Sequence, residues 1–215
     1  MRLFGIPLML IILLIPQTDF AKNTPAYNFL KLPDGDISKP LVWREYNKLF
    51  DTYLGVKAYC NKSKGQGGKH QCTTLAHRFI REVYGIPARI GIGLGHGQDL
   101  AYRVGSYFKN TAGKTRLTNN KKVRLVYFEN NRSRYPPVNG SIISFKWKKY
   151  GHVAVVKKVE YLSESKIIVY MFEQHGTKSL QINETVKRSK YELVREKNGL
   201  WHGHKVVGWL SPVLQ

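Results

Sequence analysis

Apolar residues recur at three- and four-residue steps in two stretches of the first half of the chain, which predicts two amphipathic helices. The earlier stretch, which we expect to end at Gly55, has its apolar positions at Val42, Tyr46, Leu49, Phe50 and Tyr53. The later stretch follows a glycine-rich run and has its apolar positions at Leu75, Ala76, Phe79, Ile80 and Val83. In the glycine-dense segment after it we expect a short helical turn near residues 99–104, between two loops.

From about residue 123 the pattern changes to short β-branched or aromatic runs separated by turn residues, which predicts strands. The runs are VRLVYF, GSIISFKW, GHVAVVKKVEYL, KIIVYMFEQ and KVVGWL. The turn-like SES between VEYL and KIIVYMF predicts an antiparallel hairpin. We therefore expect an α+β fold, with N-terminal helices packed on an antiparallel β-sheet.

The first 21 residues have the layout of a secretory signal peptide. Arg2 precedes an apolar run over residues 3–15, a break follows at Pro16, and Ala21 offers a small residue for cleavage. The run is short for a membrane span, and an uncleaved anchor is the alternative. We expect a signal peptide over 1–21, a lead-in over 22–45, one folded domain over 46–215, and a secreted or periplasmic location.

The chain carries a large excess of positive charge. It has 35 lysines and arginines against 14 aspartates and glutamates, for a formal net charge of +21. Such a field favours nucleic acid, anionic lipid or an anionic cell wall. Export disfavours nucleic acid, and we expect no stable membrane insertion after signal cleavage. An anionic envelope polymer is the expected partner of what we predict to be a monomer.

Cys72 lies where the glycine-rich loop meets the later helix, on the inward side of the first turn. It is either a small apolar residue that fills space or a nucleophile. The first-turn amides and the helix dipole stabilise anions, so a thiol at a helix N-terminus can ionise below its usual pKa of about 8.5. The position alone leaves both interpretations open.

A thiol used for acyl transfer needs a base, normally histidine, and a group that orients the base. His152 follows Gly151 at the start of a predicted strand, where a side chain can face a cleft. Glu173 ends the strand on the other side of the SES turn, so the hairpin brings both residues toward one edge of the sheet. The alternative is that His152 is a turn residue and Glu173 only a strand-end carboxylate.

Other roles for the cysteines and histidines are less well supported. Cys60 and Cys72 are the only cysteines, and export would permit a disulfide between them. The only close histidine pair, His202 and His204, does not combine with these cysteines in the usual spacing of a zinc site. We therefore expect no metal and no organic cofactor.

Several motifs together resemble the CHAP family of cysteine, histidine-dependent amidohydrolases and peptidases. They are YCNKSKGQGGKHQCTTLAHRFIREVYG, PPVNGSIISFKWKKYGHVAVVKKVE, IIVYMFEQHG and VVGWLSP, in the order and spacing of the family. The resemblance extends over about residues 46–212 and implies a papain-like fold that cleaves amide bonds, most often in peptidoglycan. A branch of the family, the glutathionylspermidine amidases, has similar YSN, QC, EQN and GW elements.

The resemblance implies that Cys72 is the nucleophile, His152 the general base and acid, and Glu173 the residue that orients the imidazole. It also implies an oxyanion site formed by Gln71 and the Cys72 amide. The family often has asparagine two residues after the carboxylate, where this chain has His175. A histidine there could bond the imidazole in only one tautomer, and it could protonate in acid.

Three functions follow from the sequence. The first is an exported cysteine amidohydrolase or endopeptidase that cleaves amide bonds in peptidoglycan by a thiolate acyl-enzyme mechanism. The second is an amidase for a small polyamine conjugate such as glutathionylspermidine, although a cationic protein would repel a polyamine. The third is a non-enzymatic cationic module that binds the envelope.

Overall fold

The computed structural model of the protein describes residues 26–42, 48–60, 71–87, 96–107, 113–115, 120–174 and 185–215. Within these residues the helices are α1 (Cys72–Tyr84) and α2 (Leu100–Tyr107), with a 3₁₀ turn at Gly97–Asp99 before α2. The strands are β1 (Leu41–Val42), β2 (Leu49–Tyr53), β3 (Val56–Tyr59), β4 (Gly113–Lys114), β5 (Lys122–Glu129), β6 (Ile142–Phe145), β7 (His152–Ser163), β8 (Lys166–Phe172), β9 (Thr185–Val186), β10 (Lys190–Arg195), β11 (Trp201–Gly203) and β12 (Val206–Leu214).

One antiparallel sheet of eight strands dominates the described structure, in the order β11-β10-β8-β7-β6-β12-β5-β4. The strands predicted from residue 123 onward are confirmed, and β7 and β8 form the predicted hairpin, in which Ser163 is paired with Lys166. The fold is mixed α and β as predicted, but strands predominate, and helices cover only part of the sheet.

Helix α1 confirms the apolar pattern of the later stretch. It begins after Gln71 and ends at Gly85, whose left-handed backbone (φ 63°) lets its N–H bond to the Arg81 carbonyl at 3.1 Å. All five predicted apolar positions, Leu75, Ala76, Phe79, Ile80 and Val83, are buried. The helix packs against β7, and its first residue, Cys72, interacts with the first two residues of that strand, His152 and Val153.

Both faces of the sheet are buried, because successive strand residues alternate between two hydrophobic clusters. On β7, Val153 and Val155 join the cluster that contains the buried faces of α1 and α2. Ala154 and Val156 join the cluster on the other face, around the fully buried Trp209. Strand β7 is thereby held from both sides.

The helix predicted over residues 42–53 is wrong where the structure describes it. Strands β2 and β3 form a hairpin there, turned at Leu54 and Gly55, whose φ angles of 51° and 80° are typical of a type I′ turn. A β-bulge between Leu49 and Asp51 makes Phe50 an extra residue, so Phe50 and Tyr53 are both buried at a three-residue step. They enter different clusters, and the bulge thus imitates the spacing of a helical face.

The segment predicted as a lead-in packs on the sheet over its described part. Leu30 and Leu32 are buried in the same cluster as α1, and the Leu30 N–H donates to the Pro212 carbonyl at 3.0 Å. The predicted signal peptide over residues 1–21 lies outside the described residues. None of the helices in the described ranges has the length and apolar character needed to cross a membrane.

Candidate active site

Three elements bring the predicted site residues together. Cys72 is the first residue of α1, His152 is the first residue of β7, and Glu173 directly follows β8. Because α1 packs on β7 and β8 pairs with β7, these ends meet at one edge of the sheet. We call Cys72, His152 and Glu173 the candidate triad.

The His152 imidazole is bonded to the Glu173 carboxylate. Its Nε2 lies 2.9 Å from Oε2 of Glu173, and the side chains are only 12% and 6% exposed. The two β-bulges in the pairing of β7 with β8 shift the register, yet the expected meeting of the two residues at one sheet edge is confirmed. A carboxylate at this distance fixes the orientation of the ring and stabilises its protonated form.

The Cys72 thiol is hydrogen-bonded to the same imidazole. Because Nε2 faces Glu173, Nδ1 is the ring nitrogen left for the sulfur. Burial by itself raises the pKa of Cys72, but the hydrogen bond and charge of His152, with the backbone N–H groups of Val153 and Thr73, outweigh burial and lower it. The geometry thus favours the thiolate.

The pKa of His152 moves in the opposite direction. Burial lowers it, but the hydrogen bonds to Cys72 and Glu173 and the charges of both raise the pKa of His152 to about 10. A lowered thiol pKa beside a raised imidazole pKa describes a thiolate–imidazolium pair whose protons titrate jointly. This pair is a reactive nucleophile with a proton donor attached to it.

The start of α1 provides donors for a second negative charge. The first-turn N–H groups of a helix have no partner within the helix, and no acidic residue lies in the first turn of α1 to neutralise them. Gln71 precedes the helix, is exposed, and makes no capping hydrogen bond with its side chain. The predicted oxyanion site, formed by Gln71 and the Cys72 amide, therefore remains a prediction.

Two glycines allow the chain to fit tightly around His152. A Cβ on Gly97 would lie 2.9 Å from the Cα of His152, so only glycine lets the 3₁₀ turn approach the strand this closely. Gly151, with φ 64°, turns the chain into β7, and a Cβ there would lie 2.3 Å from the Cβ of Gln98. Sequence reasoning missed the role of Gly97, although the glycine density around residue 97 was visible.

Gln174 is a further residue of the site that sequence reasoning did not assign. It is completely buried next to Glu173, and its Oε1 accepts hydrogen bonds from the backbone N–H of Tyr59 at 3.0 Å and from Nη2 of Arg78 at 3.1 Å. Arg78 is on α1 and Tyr59 ends β3. Gln174 therefore ties the Glu173 segment to the helix that carries Cys72, and the EQ pair was its only signal.

Two other residues that the sequence singled out are not part of the candidate triad as the structure describes it. His175 lies outside the described residues. Cys60 is fully buried, and the structure has no disulfide between Cys60 and Cys72. Its cluster, with Leu41 and Phe50, is also a different one from that beside Cys72. Within the described ranges no group of three or more Cys, His, Asp or Glu side chains is placed to hold a metal ion.

The domain is mixed α and β, and a cysteine at a helix start is bonded to a histidine at a sheet edge, which is bonded to a carboxylate. This is the architecture of a cysteine hydrolase. Residues 62–174, more than half of the chain, match the CHAP domain family, and the chain belongs to that family. The family is one of amidases and peptidases, so the activity expected of the chain is amide hydrolysis. A search of curated proteins found no significant match.

Proposed function

We propose that the protein is an exported cysteine amidohydrolase or endopeptidase that cleaves amide bonds in peptidoglycan. The observation that carries the proposal is the candidate triad. A thiol with a lowered pKa is bonded to an imidazole, which is bonded at 2.9 Å to a buried carboxylate. The fold, the family and the order of the three residues along the chain support the same reaction class.

In the first half of the proposed reaction, the Cys72 thiolate attacks the carbonyl carbon of the amide. The new C–S bond places the electron pair of the carbonyl on oxygen, and amides at the start of α1 stabilise this oxyanion. His152 then gives its proton to the amine nitrogen as the C–N bond breaks. The amine leaves, and the acyl group remains on sulfur as a thioester.

In the second half, water attacks the thioester while His152, now neutral, takes a proton from it. The C–O bond forms, the C–S bond breaks, and the acid product leaves. The released thiolate and the reprotonated imidazole restore the starting pair. Glu173 stays ionised throughout, orients the ring, and stabilises its positive charge in both halves.

Charge and the N-terminal segment support the choice of substrate and location. The chain has 35 basic residues and 14 acidic ones, and this positive charge favours retention of the protein on an anionic polymer. The signal-like residues 1–21 would bring the protein to the compartment where such a polymer is found. A polyamine conjugate is disfavoured because its cationic part would be repelled.

The test is clearing of purified peptidoglycan by the mature protein under reducing conditions, with mass spectrometry of the released fragments. We expect wild type to clear the suspension and Cys72→Ala to leave it turbid while still binding it. New amino termini on cross-bridge or stem peptides would indicate an endopeptidase, and free lactyl-muramyl ends an amidase. Failure of folded, reduced wild type on several wall types would contradict the proposal, and polyamine amides would be assayed next.

A further inference from the structure

Five consecutive exposed residues with the sequence KWKKY connect β6 to β7 at positions 146–150. We call them the KWKKY loop. Trp147 is 52% exposed and Tyr150 is 58% exposed, and the three other residues are lysines. Large aromatic side chains left half in solvent close together are typical of interaction sites. The mechanism proposed above uses none of these side chains.

The loop lies directly beside the reacting groups. The Trp147 ring is oriented edge-on to the His152 imidazole, with 6.4 Å between the ring centroids. The Tyr150 ring packs against His96 at 5.0 Å, and the Lys149 ammonium lies 5.6 Å from the Tyr150 centroid. A molecule that covers Trp147 is therefore in contact with the site at which the amide must be bound.

Backbone contacts hold the loop in a defined shape. The Gly151 N–H donates to the Trp147 carbonyl at 2.7 Å, which closes the loop on itself. The Lys146 N–H donates to the Lys205 carbonyl at 2.7 Å, and this contact ties the start of the loop to the beginning of β12. An aromatic surface that is already ordered loses little conformational entropy when it binds a ligand.

The side chains indicate the chemistry of the ligand. Flat aromatic faces bind flat apolar surfaces, including the C–H faces of sugar rings, and the lysines attract carboxylate or phosphate groups. We propose that the KWKKY loop is a subsite for a saccharide, which holds the glycan strand of the anionic wall polymer beside His152. The inference rests on the proposed function and adds to it the part of the substrate that does not react.

An anionic membrane is the competing partner for such a loop, because tryptophan, tyrosine and lysine also favour lipid interfaces. The position of Trp147 argues against it. A lipid surface resting on the loop would cover the imidazole that must reach the scissile amide, whereas a glycan strand attached to the substrate would deliver that amide to it.

Binding is measured first, in a Cys72→Ala background that cannot turn over, by cosedimentation with insoluble peptidoglycan. Trp147→Ala and Tyr150→Ala should each weaken binding about tenfold, as expected for the loss of a central aromatic contact. The matched control is Tyr161→Ala, an aromatic residue that is 63% exposed at the far end of the same strand. It lies nine residues from His152, or about 30 Å along an extended strand, and its replacement should leave binding unchanged.

The lysines are tested in the same background. The double variant Lys148→Gln, Lys149→Gln should bind more weakly, and its binding should depend less on salt. The reason is that the variant makes fewer contacts between opposite charges, so salt has fewer contacts to screen. Lys197→Gln, an exposed lysine in the turn between β10 and β11, serves as the control. Equal effects from the loop and control lysines would show that the overall charge binds the polymer, and would contradict a subsite.

Kinetics separate binding from catalysis. In the active protein, Trp147→Ala should raise the half-saturating peptidoglycan concentration about tenfold, a much larger change than the change in kcat. Its kcat/KM should therefore fall more for peptidoglycan than for a peptide amide without saccharide, whereas Tyr161→Ala should leave both values as in wild type. Equal falls for the two substrates, together with slower alkylation of Cys72 by iodoacetamide, would make Trp147 a positioning residue for His152 and overturn the proposal.

Two further outcomes are decisive. Equal binding of Trp147→Ala and wild type to peptidoglycan would overturn the subsite, and so would stronger Trp147-dependent binding to vesicles of anionic phospholipid than to peptidoglycan. The proposed function fails separately. If wild type cleaves no peptidoglycan but binds it through Trp147, the subsite stands and the hydrolase does not. If wild type cleaves peptidoglycan and Trp147→Ala binds and cleaves it equally well, the hydrolase stands and the subsite does not.

Discussion

Strand β7 contributes one residue to each of two buried clusters of three ionisable side chains, and the two clusters have opposite charge patterns. In the candidate triad, a cation, His152, lies between two anions. In the other, which we call the Asp51 cluster, the Asp51 carboxylate lies between two cations. Its Oδ1 is 2.7 Å from Nζ of Lys157, and its Oδ2 bonds to Nη1 of Arg188. These three side chains are 9%, 2% and 8% exposed.

The two clusters differ in what their protons can do. In the Asp51 cluster two cations flank one carboxylate, so attraction between opposite charges joins the groups. Burial lowers the pKa of Lys157, and the bond to Asp51 opposes that effect. The cluster joins β2, β7 and the segment after β9, and Arg188 also bonds to the Met171 carbonyl. We interpret it as a structural cross-link.

In the candidate triad, by contrast, a proton can pass between sulfur and nitrogen. Burial and a shifted pKa are thus common to both clusters and do not by themselves mark a catalytic site. The distinguishing features are a group that can act as a nucleophile and a partner whose proton is transferable, placed at the start of a helix. The comparison predicts that substitutions in the triad reduce activity, whereas those in the Asp51 cluster reduce stability.

The largest expected effect is that of Cys72→Ala. Loss of the nucleophile should lower kcat by at least about 10⁴-fold, as for nucleophiles of other acyl-transfer enzymes. The melting temperature should change little, because Cys72 is only partly buried. Cys60→Ala is the matched control and should retain activity. An active Cys72→Ala protein would remove the basis of the comparison.

Asp51→Asn should have its effect on folding instead. It leaves Lys157 and Arg188 buried without their counter-ion, which typically costs about 3–5 kcal/mol in the free energy of unfolding. Denaturation by urea measures this loss, and Glu192→Gln is the control. Glu192 forms an exposed ion pair with Lys166 at 2.8 Å, with 50% and 42% of the side chains exposed, so its removal should cost less than about 1 kcal/mol.

The activity of the folded Asp51→Asn protein should stay close to that of wild type. The assay is run without denaturant, at a temperature well below the melting temperature of the variant. If kcat fell as strongly as in a triad variant while the protein remained folded, the Asp51 cluster would be part of the catalytic machinery. That result would contradict the division between the two clusters.

Glu173→Gln should lower kcat about 10²–10³-fold, since the neutral amide still bonds the ring but no longer stabilises its positive charge. The carboxylate raises the pKa of His152, so its removal lowers that pKa and moves the alkaline limb of the pH–rate profile to lower pH. Less imidazolium also raises the pKa of Cys72, so the acid limb moves to higher pH. A profile that loses height but keeps its width would contradict this role of Glu173.

The residues of the candidate triad could be found from sequence because each stands at the end of a regular element. The apolar face of α1 located Cys72, and the single hairpin around SES brought His152 and Glu173 to one edge. Period and turn chemistry are local properties, and they were sufficient here. The catalytic roles came from the resemblance to the family rather than from these patterns.

The Asp51 cluster could not be found in the same way. The bulge at Phe50 gave β2 the spacing of a helix, and with that error Asp51 was assigned to a helix. Its partners come from residues 157 and 188, whose proximity depends on the packing of three distant segments. The anchoring of Gln174 by Tyr59 and Arg78 is equally non-local. Contacts of this kind depend on tertiary packing, which leaves no periodic signal.

The smallest expected effect, and the most diagnostic of the thiolate–imidazolium pair, is a difference between two pH profiles. Alkylation of Cys72 by iodoacetamide reports the thiolate alone, so its rate should rise with pH to a plateau. Its midpoint should lie below the ordinary thiol pKa of about 8.5, because the His152 bond lowers the pKa of Cys72. In His152→Ala the midpoint should move to higher pH, since burial then acts without the imidazolium.

Hydrolysis needs both partners and should give a bell-shaped profile over the same range. Its acid limb follows protonation of Cys72. Its alkaline limb follows loss of the His152 proton, whose pKa is raised to about 10, because a neutral imidazole cannot protonate the leaving amine. Above that pH the thiolate persists, so alkylation should stay on its plateau while hydrolysis declines. A parallel decline of both rates would mean that high pH unfolds the site, and a wild-type alkylation midpoint near or above 8.5 would contradict the ion pair itself.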